Sequence, residues 1–380
     1  MEIITVAIMA TANNIGIASD RNITTGLADM KTALPKFKAA AMHVAPVFMD
    51  TGASVDKACA LIKEAAEHGA SLIAFPETFI PAFPIWCAVR APIENHDFFR
   101  QLMQAAIRVP GPEIEQLALA ARTHQVFVSI GFNEGTEASL GCVWNSNILI
   151  GDDGSILNHH RKLVPTFYEK LVWAPGDARG LRVTDTAIGR IGMLICGENT
   201  NPLARYALIA QGEQVHISSY PPIWPTRPPG EAGAYDIESA IRIRAGAHSF
   251  EGKVFNIVAS AFWDKNTRDA IAQGDARVAA ILDNTPRSVS IILGPDGMPI
   301  SDIKRDEEGI LYADIDVAKC VEPKQFHDVV GGYNRFDVFN FSVDRTHRDP
   351  VTFVDMPAPV PQAQTKCSSN SPISTPPLPA

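Results

Sequence analysis

The sequence predicts an α/β sandwich containing a mixed sheet. Three observations carry this. Apolar runs of strand length, such as SLIAF, VFVSIGF, QVHISS and VFNIVAS, alternate with segments of helical periodicity. Two stretches, SNILIGDDGSILNHH and VSIILGPDGMPISD, set an Asp-Gly turn between extended runs, which is a hairpin signal inside the alternating pattern. With 380 residues, 46% of them hydrophobic and 20% charged, the chain can also bury a large core as one domain or two.

The elements follow in order. Residues 1–36 show no clear amphipathic pattern and read as an extension of uncertain structure. The globular part starts at Phe37 with FKAAAMHVAP, a first buried strand. A helix follows in SVDKACALIKEAAEHGA, with Ser54 as its expected N-cap, Ala58, Leu61, Ile62 and Ala65 on one face, and Gly69 as its stop. The second strand, SLIAF, ends at Pro76 and Glu77, so a carboxylate stands where α/β sheets place functional loops. FIPAFPIW, from Phe79 to Trp86, suits either a pocket wall or local packing. Further helices are expected from Pro112 to Gln125, from Pro202 to a stop at Gly212, and from near Asp236 to Phe250. The domain is expected over 37–340 and a tail over 341–380, Pro-rich and disordered from about 356.

Composition excludes several classes. A net charge of −9 without clustered Lys and Arg argues against nucleic acid as a partner. No run of about 20 apolar residues would span a membrane, and the apolar N-terminus lacks the basic region of a secretory leader. The six cysteines are widely spaced without a CxxC pair. A soluble, cytoplasmic protein with reduced thiols is the expectation.

The candidate chemistry centres on RIGMLICGENTNP. Ile191, Met193, Leu194 and Ile195 form a strand that delivers Cys196 to a tight turn permitted by Gly197, and Pro202 opens the next helix. A cysteine at a strand end is commonly a packed core thiol, so other residues decide. Lys162 follows the hairpin in HHRKLVPTFYEK, and Glu77 ends its own strand. Convergence of these strand ends would join carboxylate, ammonium and thiol. A thiol with a free pKa of about 8.5 needs a base or a cation to act as a nucleophile at neutral pH, and Glu77 and Lys162 would supply them. His216, His248 and His327 have no flanking protease motif. His159 and His160, adjacent on a strand, would point to opposite faces and make a poor metal pair.

FPETF around Glu77, HRKLVPT around Lys162 and the segment around Cys196 resemble, in order and spacing, the three signatures of the carbon–nitrogen hydrolase (nitrilase) superfamily. ENTNPLARYALIAQGEQVHISSYPPIW is similar to its nitrilase branch. The resemblance implies a four-layer αββα sandwich with Glu77 as general base, Lys162 as transition-state stabiliser, Cys196 as nucleophile and Glu169 as a second glutamate positioning substrate or lysine. It implies hydrolysis of a nitrile by water, to acid and ammonia, through a covalent thioimidate and thioester, with no metal or organic cofactor. An amidase or carbamoylase of the same superfamily, and a catalytically silent scaffold, are the alternatives. It also implies a homodimer that assembles into larger homo-oligomers or spiral filaments. Phe83, Trp86, Phe167, Tyr168, Gly197, Glu198 and Asn199 stand as candidate substrate contacts, with Phe79, Ile85 and Trp173 as further candidates for the cleft wall. Two positions depart from the family pattern: Gly197 where Trp or Ala is common, and Gly332 where a histidine is frequent.

Overall fold

A computed structural model describes residues 33–346 and residue 351. Expectations for residues 1–32 and for the tail from 356 lie outside the described residues. Two sheets face each other. The first has six strands: β1 (Lys36–His43), β2 (Ala70–Ala74), β3 (Phe127–Gly135), β4 (Val143–Ile150), β5 (Ile156–Arg161) and β11 (Gly309–Asp316). They lie in the order β11, β1, β2, β3, β4, β5, with β1, β2 and β3 mutually parallel and the remaining neighbours antiparallel. The second sheet contains β6 (Thr184–Thr186), β7 (Gly189–Ile195), β8 (Val215–Tyr220), β9 (Phe255–Ser260) and β10 (Ile291–Leu293), in the order β10, β9, β8, β7, β6. Its three central strands, β7, β8 and β9, are parallel.

Strand side chains alternate between two cores, as a period of two requires. Ala39 and Ala41 of β1, Leu72 and Ala74 of β2 and Leu149 of β4 meet Ile191, Met193, Val215, Ile217 and Ile257 between the sheets. Their neighbours Ala40, Met42, Ile73, Val128, Ile130 and Ile148 face outward, onto helices α1 (Thr51–Glu67) and α3 (Pro112–His124). Between these two helices in the chain runs α2 (His96–Ala105). On the other side, Ala204, Ala207 and Leu208 of α4 (Pro202–Ile209) cover Leu194, while Ile237, Ile241 and Ala245 of α5 (Ile237–Gly252) cover Tyr220, Val258 and Ile291. The result is the four-layer αββα sandwich. Two further helices, α6 (Lys265–Ala272) and α7 (Ala276–Asn284), join α2 in a cluster at one end that includes Trp86, Trp173 and Trp263.

The N-cap of α1 corrects the expectation at Ser54. Asp50 caps the helix by accepting from the Ala53 N–H at 2.9 Å, whereas the Ser54 hydroxyl is buried against the Val47 backbone. Both residue types cap well, and the helix starts one turn earlier because nothing in TGAS opposes it. Gly69 does end α1, at φ +84°. At α5, Asp236 is the cap. Strand β11 was not foreseen. Its antiparallel register with β1, from Lys36 opposite Asp316 to His43 opposite Gly309, joins segments far apart in the sequence.

Candidate active site

Each functional side chain leaves the end of a strand or the loop that follows it. After β2 the backbone turns sharply: Thr78 has φ +43°, and the Ile80 N–H donates to the Gly131 carbonyl of β3. This close approach requires glycine. A Cβ at Gly131 would meet Thr78 N at 2.5 Å and Pro76 O at 2.6 Å, both backbone atoms. Gly131→Ala is therefore expected to displace the Glu77 turn, costing about 1–3 kcal/mol and lowering kcat, as thermal melts and steady-state kinetics would show.

Glu77 accepts from Asn145 Nδ2 at 2.7 Å and from Lys162 Nζ at 2.8 Å, both on Oε1. Lys162 also donates to Glu169 Oε2 at 2.7 Å, and that oxygen takes the Thr166 N–H at 2.7 Å. All three charged residues are buried. The second oxygens, Glu77 Oε2 and Glu169 Oε1, are buried without a hydrogen-bond partner among the described residues. The ammonium also lies 5.6 Å from the Trp173 ring centroid.

Cys196 completes the constellation. It sits at φ +47°, a region that favours glycine, at the sharp turn between β7 and the residues leading to α4. The Cys196 sulfur and one carboxylate oxygen each from Glu77 and Glu169 lie within 4.8 Å of one another. Such a donor set could hold a metal, yet the Lys162 ammonium already provides a cation to both carboxylates.

Electrostatics separates the roles. Burial pushes the Cys196 thiol well above its ordinary value, Glu77 and Glu169 add to this, and Lys162 opposes it. The thiol is thus protonated at neutral pH and needs a base. Burial raises the Glu77 carboxyl, Lys162 draws it down and Glu169 pushes it up, leaving it at about 7. Burial works against the Lys162 charge, but Glu169, Glu77 and Cys196 hold the ammonium well above its usual range.

The elbow is held by residues beneath it. Glu198, expected at the substrate, has its carboxylate engaged by the Ile195 N–H at 2.8 Å, the Leu163 N–H at 2.6 Å and His160 Nε2 at 2.9 Å. It ties the end of β7 to the loop after β5. Asn199 donates to the Leu194 and Cys196 carbonyls and accepts from His216 Nε2 at 2.9 Å and from Ser218. His216 Nδ1 in turn faces Glu213 at 2.7 Å. His248 Nε2 holds the other Glu213 oxygen at 2.6 Å, with the two imidazoles stacked at 3.8 Å. Glu213, His216 and His248 have metal-type donors close together, but both glutamate oxygens are already occupied by the rings. Gly197 faces Thr166, whose Oγ1 would stand 2.6 Å from an added Cβ.

The remaining expected contacts divide. Tyr168 is buried 5.3 Å from Trp224, and Phe167 is 66% exposed with its ring 6.2 Å from Trp224. Phe83 stands edge-on to Trp173 at 5.2 Å. Trp86 stacks on Phe98 at 5.6 Å in the end cluster, as local packing. Sequence reasoning passed over Trp224, Tyr235 and Arg244. Trp224 and Tyr235 pack on the apolar cluster that contains Cys196, and the Arg244 guanidinium bonds the Tyr235 hydroxyl. His159 and His160 do point apart, to Glu134 and Glu198 respectively.

An αββα sandwich that gathers a thiol, two carboxylates and an ammonium at one buried point is the frame of a cysteine-dependent hydrolase. The chain belongs to the carbon–nitrogen hydrolase family, whose model matches residues 38–325. It is 35% identical over 319 residues to a nitrilase from Paraburkholderia phymatum, covering 84% of this chain and 90% of that one. An arylacetonitrilase from Hypocrea virens is 34% identical over 314 residues, covering 81% and 92%. Among solved structures, a carbon–nitrogen hydrolase from Helicobacter pylori G27 shares the fold, with a TM-score of 0.61 at 19% identity, covering 77% of this chain and 92% of that one.

Proposed function

We propose that the protein is a nitrilase, converting an organic nitrile and two waters into a carboxylic acid and ammonia. The observation that carries this is the buried cysteine beside a carboxylate poised near neutrality, in a chain whose relatives across most of its length are named nitrilases. Glu77 takes the Cys196 proton as sulfur attacks the nitrile carbon. The developing negative charge on nitrogen lies by the Lys162 ammonium, and protonation of that nitrogen gives a thioimidate. Water, losing its proton to Glu77, adds to the same carbon. That proton passes to the nitrogen, the adduct's hydroxyl gives up its own proton as the carbonyl forms and the C–N bond breaks, ammonia leaves with both, and a thioester remains. A second water breaks the C–S bond, releasing the acid and restoring the thiol. Glu169 holds Lys162 between the two carboxylates.

Because Glu77 must be ionised to act, kcat/KM is expected to rise with pH through about 7, and Glu77→Gln should abolish that limb together with most of the activity. Stability runs the other way. The Glu77 carboxyl, raised from its ordinary 4.5, favours the folded state below that value, and this contribution is lost as pH rises through about 7.

Ammonia and acid release from matched nitriles and amides tests the assignment. Acid from nitriles with little from amides supports it; turnover of amides alone makes the chain an amidase. Three further readings are ours. The hydrolase domain runs over 37–340, supported by the family match. Copies associate into homo-oligomers or filaments, supported by the exposed Phe336, Val338 and Phe339. The protein is cytoplasmic, supported by five unpaired cysteines among the described residues; no described helix is long and apolar enough to cross a membrane.

A further inference from the structure

Helix α5 packs Ile237, Ile241 and Ala245 onto the cluster containing Cys196 and Tyr220. Arg244 lies one residue before Ala245 and is half-buried. Its side chain donates to the Tyr235 hydroxyl and forms no ion pair among the described residues. Among the other arginines, Arg161 pairs with Glu134, Arg205 with Glu251, and Arg242, on the same helix, with Glu238, while the half-buried Arg90 and Arg287 donate to backbone carbonyls. A guanidinium carries five donors, and one phenol leaves most of them without a protein acceptor. Those paired arginines have carboxylates; Arg244 instead has the Cys196 thiol and the Tyr220 and Tyr235 phenols as electrostatic neighbours. The Tyr235 ring stands edge-on to Trp224 at 5.1 Å. Trp224 Nε1 and the Tyr220 hydroxyl are buried without hydrogen-bond partners among the described residues. The wall beside the nucleophile therefore holds a cation without a described carboxylate and two polar groups without a described partner.

We propose that Arg244 is a specificity determinant that binds a carboxylate on the substrate, so that the preferred nitriles are cyanocarboxylates anchored at Arg244 with the nitrile carbon at Cys196. This rests on the nitrilase reading. A guanidinium fork matches a carboxylate in a way an ammonium does not, and a neutral nitrile would leave the cation unpaired.

The test compares kcat/KM for cyanoacetate, cyanopropanoate and cyanobutanoate with uncharged alkyl nitriles of equal length, in the native enzyme and in Arg244→Met and Arg244→Lys. The native enzyme is expected to favour the charged substrate by about ten- to a hundredfold at its best chain length, mainly through KM. Arg244→Met should erase that ratio and Arg244→Lys should keep part of it. No native preference, or a ratio unchanged in Arg244→Met, overturns the proposal. So does a change of oligomeric size in Arg244→Met by light scattering, which would make Arg244 a subunit contact. Calorimetry of cyanobutanoate against valeronitrile on Cys196→Ala separates the two readings. Arg244-dependent binding of the anion, with no nitrile turned over by the native enzyme, would overturn the nitrilase reading and keep the carboxylate site. Hydrolysis of neutral nitriles without anion binding would do the reverse.

Discussion

Cys196→Ala is expected to abolish nitrile turnover, by at least about 10⁴-fold, while leaving the protein folded. The loss follows from chemistry: no other described thiol shares the space between Glu77 and Glu169, and Lys162 already holds both carboxylates. Folding should survive because the change removes a single sulfur from a side chain at the cluster's edge, and alanine keeps the Cβ at the same positive φ. A stability change of about 1 kcal/mol is the scale for so small a deletion. Ammonia release and a thermal melt on the same sample check both halves. Sustained activity in the folded variant would remove Cys196 from the mechanism.

Lys162→Met carries the second large effect, on stability as well as rate. The ammonium is 1% exposed and stands between Glu77 Oε1 and Glu169 Oε2. Without it two buried carboxylates face each other with no cation, a loss on the order of 3–5 kcal/mol for breaking such a pair. Protonation of one carboxyl would relieve the repulsion, so the variant should be most impaired at high pH and partly recover stability as pH falls. Activity should not recover with it, since the charge that meets the developing nitrogen anion is gone. Chemical denaturation across pH, paired with kcat, reads both; a variant as stable as the native protein at pH 8 would show that the three charges are not coupled as described.

Much of this candidate site was legible because Glu77 and Cys196 each end an apolar run and Lys162 ends the second arm of a hairpin, endings that survive in the linear pattern. SLIAFPE, HHRK and GMLIC announce their last residues. Their supporting contacts were not legible. Glu198 follows the cysteine and is polar, so it reads as lining the cleft. Its partners His160, Leu163 and Ile195 come from strand ends that only the fold brings together. Trp86 misleads similarly, since Phe98 covers it from α2, a helix the periodicity did not reveal. Arg244 lies on a helix whose other arginine, Arg242, is an ordinary salt-bridge partner, and nothing in the sequence separates the two. The sheets show the same division. The parallel strands are near-continuous apolar runs and were found, whereas β11, with Asp314 and Asp316 at alternate positions, needed β1 beside it to be recognised.

Covalent catalysis by Cys196 is tested most directly by the mass of the enzyme quenched during nitrile turnover, followed by peptide mapping. The expected result is an adduct equal to the substrate's acyl or imidoyl group on the peptide bearing Cys196, absent from Cys196→Ala. Rapid release of acid with no adduct on any cysteine peptide, or an adduct confined to another residue, would contradict it.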